Sequence, residues 1–159
     1  MKSLRLLFSV ICLLCAATAA QARLGDTLAE ISKHRGKPVG KPDKNKAVWA
    51  FEGGDEQLLY AVRFDDAGRS IGETLKPSRT GAPLQREFVL DFIAAQREVL
   101  AGSTTTRELA VGAKYTFAGQ NLVVANGEYV LIDEPHGFLL VWLRGSLPSV
   151  TVIAPAALQ

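Results

Sequence analysis

Leu58, Tyr60, Val62 and Phe64 fall on every second position of one short stretch, which then closes on Asp65-Asp66-Ala67-Gly68. Extended backbone points successive side chains to opposite sides, so an apolar period of two puts all four on one face of a strand. Such a strand must lie in a sheet whose apolar face is covered by another layer. The Asp-Asp-Ala-Gly quartet is turn chemistry, and residues 69–75 return as a further strand with Ile71, and Leu75 as a second candidate, facing the core. Val48-Trp49-Ala50-Phe51, closed by Gly53-Gly54-Asp55, precedes them. The first half therefore reads as a three-stranded antiparallel meander.

A helix is written ahead of it. Thr27-Leu28-Ala29-Glu30 is a capping box, in which the Thr hydroxyl accepts from the third helical amide while the Glu reaches back to the cap. Gly36 stops that helix and Pro38 forbids its continuation, leaving a lysine-rich loop up to Lys46. A second helix opens near Pro83, with Leu84, Phe88, Phe92, Ala95 and Val99 at helical spacing, and ends at Gly102. Strands follow at residues 121–125 and 128–133, flanking Asn126-Gly127 as a two-residue hairpin turn. Two more follow at 138–143, apolar enough for a central position, and 149–153. Helix then sheet, twice over, predicts an α+β fold: one domain, 23–159, made of two tandem helix-plus-antiparallel-sheet units (23–76 and 77–159) with the helices packed on sheet.

The N-terminus sets the compartment. Met1-Lys2-Ser3-Leu4-Arg5 is basic, residues 6–17 are mostly large and apolar, and Ala20-Gln21-Ala22 fits the small-residue rule of signal peptidase. Residues 1–22 thus read as a cleaved signal peptide, and the product as exported, periplasmic or secreted, with no integral membrane segment after cleavage. Cys12 and Cys15 both fall inside the leader, preceded by Ile11 and Leu14 rather than the small residue that lipidation needs. The mature chain then has no thiol for a disulfide or a metal. Removing Lys2 and Arg5 leaves sixteen basic against sixteen acidic residues, a balance that gives no reason to expect nucleic acid.

Catalytic signatures are sparse. Asp26, Glu30 and His34 lie four apart, but Glu30 is committed to the cap, so a capped helix explains them better than a metal site. His136, beside Asp133 and Glu134, has the raw material of general acid–base chemistry and defines an alternative reading as a small hydrolase or lyase. No phosphate loop, zinc spacing or calcium loop is present, and no cofactor is expected. Lys33, Arg35, Lys37, Lys41, Lys44 and Lys46 oppose only Asp43; among these Lys41, Lys44 and Lys46, with Trp49 as the aromatic expected to be partly exposed, are the candidate partner-binding residues.

Leu24-Gly25-Asp26-Thr27, Glu30-Ile31, Gly36-Lys37-Pro38 and the strand closing on residues 62–68 resemble the small envelope domain called SmpA/OmlA or BamE. They are also similar to the tandem repeat unit of β-lactamase inhibitor proteins, over residues 24–75. Members of both families work by binding other proteins. The resemblance implies a non-enzymatic binding or scaffold module of the bacterial cell envelope that contacts a protein partner.

Overall fold

The capping box forms as written: Glu30 N–H donates to Thr27 Oγ1 at 3.3 Å, and Thr27 N–H donates to Glu30 Oε2 at 2.7 Å. It opens α1 (Leu28–Arg35), which ends at Gly36 with φ +78°, a conformation glycine adopts without steric penalty. The structure, a computed structural model, describes residues 24–99, 106–135 and 137–158. The expected leader with both cysteines, Gly102 and His136 lie outside the described residues.

After α1 come β1 (Lys46–Gly53), β2 (Glu56–Phe64), β3 (Ser70–Pro77), α2 (Arg86–Val99), β4 (Arg107–Leu109), β5 (Lys114–Phe117), β6 (Gln120–Val123), β7 (Glu128–Asp133), β8 (Phe138–Leu143), β9 (Ser149–Ile153) and a 3-10 turn, Pro155–Leu158. The meander is in place, with Trp49 opposite Tyr60 and Tyr60 opposite Leu75. A bulge interrupts it where Arg63 faces Gly72 and Phe64 faces Ser70. The extra residue, Ile71, turns Ser70 and Glu73 onto the same face although they are three apart, which is how bulges re-aim side chains.

The expected α+β fold of two helix-plus-sheet units is not what forms. The last strand, β9, pairs antiparallel with both β3 and β8, so all the larger strands join one seven-stranded sheet in the order β1-β2-β3-β9-β8-β7-β4. The molecule is mainly antiparallel sheet, with two helices among the described residues. The physical reason lies in strand edges. Had each half closed on itself, β3 would have been left with a row of unpaired amides and carbonyls, which β9 instead satisfies.

Both helices cover the same face of that sheet. Ile31 of α1 and Val89, Phe92 and Ile93 of α2 share a core with Trp49, Leu58, Tyr60, Val62, Leu75, Val150, Val152 and Leu140. Against the other face lies a separate hairpin of β5 and β6, whose Phe117 and Leu122 pack with Leu109, Val130, Ile132 and Leu139.

Two local expectations change as well. Asn126-Gly127 does not join paired strands: β6 pairs with β5, so that turn only hands the chain on to the large sheet. The tight hairpin turn is Ala118-Gly119, with φ +49° and +79°, a job sequence rules assign to Asn or Gly. α2 begins at Arg86 rather than at Pro83, which stays in the extended lead-in. Among the described residues, no helix is long and apolar enough to cross a membrane.

Candidate partner-binding surface

The hairpin of β5 and β6 covers its face of the sheet above β4, β7 and β8, with Ile153 of β9 at its margin. The 3-10 turn adds cover at the Gly72 end, where Ala157 packs close and Arg63 Nη1 donates to the Ala157 carbonyl at 3.0 Å. What remains on that side of β1, β2 and β3 is open. Register places Val48, Ala61, Thr74 and Thr151 in one cross-strand row and Ala50, Leu59 and Lys76 in the next. All of the uncharged ones are half-buried. An open antiparallel face usually alternates to polar residues; here Val48, Ala50, Leu59 and Ala61 make it apolar.

Its margin is mostly cationic. Lys46, Arg63 and Lys76 are exposed on it, with Glu52 and Gln57 completing the rim. Lys46 stands directly opposite Arg63, and like charges in that position weaken a sheet. The Ala157 carbonyl draws Arg63 away and relieves part of this repulsion.

The lysine loop borders the same surface. Val39 N–H donates to the Val48 carbonyl at 2.6 Å and Asp43 N–H to the Lys46 carbonyl at 3.0 Å, so residues 39–45 run along the outer edge of β1. Lys41 is exposed there, and Lys44 reaches Asp66 at 3.0 Å, a pair too exposed to add much stability. The loop leaves the outward backbone groups of Ala50 and Glu52 without hydrogen-bond partners among the described residues, because alternate residues of an edge strand point outward.

Trp49 is a correction. Expected to be partly exposed, it is 1% exposed and faces the helices, not the open face. Its indole Nε1 donates to the Gly36 carbonyl at 2.9 Å, pinning the end of α1, and its ring packs on Tyr60 at 5.7 Å. Arg35 lies over the Tyr60 and Phe51 rings at 4.4 and 5.4 Å.

Beneath α2 sits a buried polar cluster the sequence did not announce. Glu73, fully buried, accepts from Ser70 Oγ at 3.1 Å and from Gln96 Nε2 at 2.8 Å. Burial pushes its carboxyl above the usual carboxylate range, against the pull of its hydrogen-bonding neighbours, and pushes the adjoining Tyr60 hydroxyl up too. Gly25 N–H donates to both the carbonyl and Oγ of Ser70 at 2.9 Å, and Leu24 N–H to Gln96 Oε1 at 3.4 Å. The cluster thus fastens the first described residues to the sheet. It has no opening to solvent through Glu73, and we read it as structural.

The acid pair of the alternative reading does not converge. Asp133 is fully buried and accepts from Thr106 Oγ1 at 3.0 Å, whereas Glu134 is exposed and bonds Arg107 at 2.7 Å. His34 is exposed and Glu30 holds the cap, and no group of three or more metal-ligating side chains occurs among the described residues.

Leu59, Ala61, Ala50 and Arg63 were missed as surface residues because Leu58, Tyr60, Val62 and Phe64 dominate the strand's period. The available signal was that the opposite phase of β2 is also apolar at Leu59 and Ala61. No family model matches the chain, and neither the curated proteins nor the solved structures give a match.

Proposed function

We propose that the mature chain is an exported, non-enzymatic binding module of the bacterial cell envelope that holds a protein partner of acidic surface against the open side of β1, β2 and β3. The observation that carries this is the apolar, cation-rimmed face made by Val48, Ala50, Leu59 and Ala61 with Lys46, Arg63 and Lys76. Apolar area drives association, and the cations steer an acidic partner and fix its register. Lys41 and Lys44 extend the same charge along the edge loop. The likeness of residues 24–75 to envelope domains that bind other proteins supports the same reading, and the leader supports the compartment.

A chain beginning at Arg23 has no thiol, so Ala61→Cys carries one cross-linker at the centre of the face and Ala94→Cys, on the exposed side of α2, serves as control. Treated in envelope extract, Ala61→Cys should give one discrete adduct that Ala94→Cys lacks. Combining it with Lys46→Glu and Lys76→Glu should remove that adduct, and added salt should weaken it. Equal labelling from both positions, or none from either, ends the proposal.

A further inference from the structure

On the opposite side of the sheet, Arg144 follows β8 and lies over the Trp142 ring, its guanidinium carbon 4.4 Å from the ring centre and 5.8 Å from that of Tyr129. Trp142 and Tyr129 meet edge to face at 6.3 Å. The backbone is fixed there too, since Arg144 N–H donates to the Gly127 carbonyl at 3.0 Å. Arg144 makes no ion pair among the described residues.

Two shallow grooves meet at this residue. One, about 350 Å³, is lined by Ala82, Pro83, Leu84, Trp142 and Pro148, with Arg144 its sole ionisable side chain. The other, about 410 Å³, runs past Leu143 and Leu147, which are 38% and 65% exposed. It also includes Glu128, whose carboxylate already accepts from Ala125 N–H at 2.7 Å. Arg144 and Gly145 line both, so the guanidinium stands at the margin of an apolar depression on one side and, on the other, of a mixed one in which Asn126, Glu128 and Ser146 accompany the leucines. Each is in the size range of natural ligand sites, and Trp, Tyr and Arg together are the side chains most enriched where binding energy concentrates.

We infer that Arg144 and the apolar groove of Ala82, Pro83, Leu84, Trp142 and Pro148 bind an extended peptide segment of a partner in which a carboxylate side chain is followed or preceded, two residues away, by an apolar one. An extended chain directs side chains i−2, i and i+2 to one side at about 6.6 Å intervals. That period sets an Asp or Glu at Arg144 and an apolar residue in the groove beside Trp142. A guanidinium stacked on an indole keeps its in-plane N–H edge free, and that edge matches a carboxylate in a two-pronged hydrogen bond. Because Arg144 already occupies that ring face, a sugar has no open indole to stack on, which favours peptide over an acidic glycan. The site lies across the sheet from the face described above and does not depend on it.

The probe is acetyl-Leu-Thr-Glu-Thr-Phe-amide, with its Glu-to-Gln twin as the uncharged comparison. Trp142 reports binding by fluorescence, since Trp49 is sealed in the core. The acidic peptide should give a saturable change that Trp142→Phe abolishes, and the Gln twin should bind about tenfold more weakly or worse. Arg144→Gln, checked for an unchanged thermal midpoint, should reduce the acidic peptide to the affinity of its twin while leaving the twin unaltered. Equal binding of the two peptides, indifference to Arg144→Gln, no saturation at millimolar peptide, or tighter binding of glucuronate than of the peptide would each overturn the inference.

Discussion

Glu73 is a fully buried carboxyl, and its ionisation bears on the stability of this fold. It faces Tyr60 from β2, Gln96 from α2, Ser70 on its own strand and the Asp26 carboxylate of the incoming segment, with Arg35 beyond the Tyr60 ring. The Tyr60 hydroxyl is buried without a well-formed hydrogen bond, and a protonated Glu73 beside it is the group able to donate one. Since burial raises the folded carboxyl above its ordinary value of 4.5, its contribution to stability is complete below that value. It is lost as pH rises through the folded pKa, because the unfolded chain releases the proton first. Glu30 runs the other way: its backbone and side-chain bonds to Thr27 lower its carboxyl, so its exposed contribution is present above 4.5 and fades as pH falls. Glu73→Gln keeps the shape and the Gln96 contact, and the Ser70 hydroxyl can rotate to accept from the new amide. Above pH 4.5, where the Glu30 contribution is fully present, urea midpoints should decline with rising pH for the natural chain and stay flat for Glu73→Gln; parallel profiles would show that Glu73 is not the titrating group. Glu73 was invisible in the sequence because its burial depends on the Ile71 bulge and on a helix some twenty residues away.

At the scale of elements, local chemistry decided what was local. The capping box, Gly36 and the β2 period act over a few residues, and α1 and the meander formed as those signals require. The hairpin turn shows the limit. Asn126-Gly127 has the better dipeptide, yet the β5 and β6 pairing is closed by Ala118-Gly119, in a register that packs Phe117 and Leu122 against β7 and β8. Ala118 is held at positive φ, where a Cβ meets steric resistance. Ala118→Gly should therefore stabilise the protein by up to about 1 kcal/mol, the relieved strain being partly offset by the greater freedom of glycine in the unfolded chain. A lower thermal midpoint for that variant would show the turn to be unstrained.

For the whole molecule, β9 is the element that converts two apparent units into one. Leu140 and Val152 are paired across β8 and β9 and fully buried in the core that also holds Ile31 and Trp49. One tryptophan lies in each half of the chain, Trp49 in β1 and Trp142 in β8. Leu140→Ala should cost about 2–5 kcal/mol, and single-tryptophan variants retaining either reporter should show the same shifted midpoint. Separate transitions, with Trp49 unaffected, would mean that the first half folds by itself.

The sequence alone determined the strand period, the capped first helix, the lysine edge loop and the absence of any thiol downstream of Cys15, because each is a matter of neighbours along the chain. Tertiary structure decided that there is one sheet and not two, that Trp49 is interior, and that Val48, Ala50, Leu59 and Ala61 lie open while Glu73 is sealed. The single sheet turns on β9 pairing with β3, a contact between residues more than seventy positions apart. Backbone hydrogen bonding carries no side-chain signature of its partner, so such a pairing is written in no local pattern.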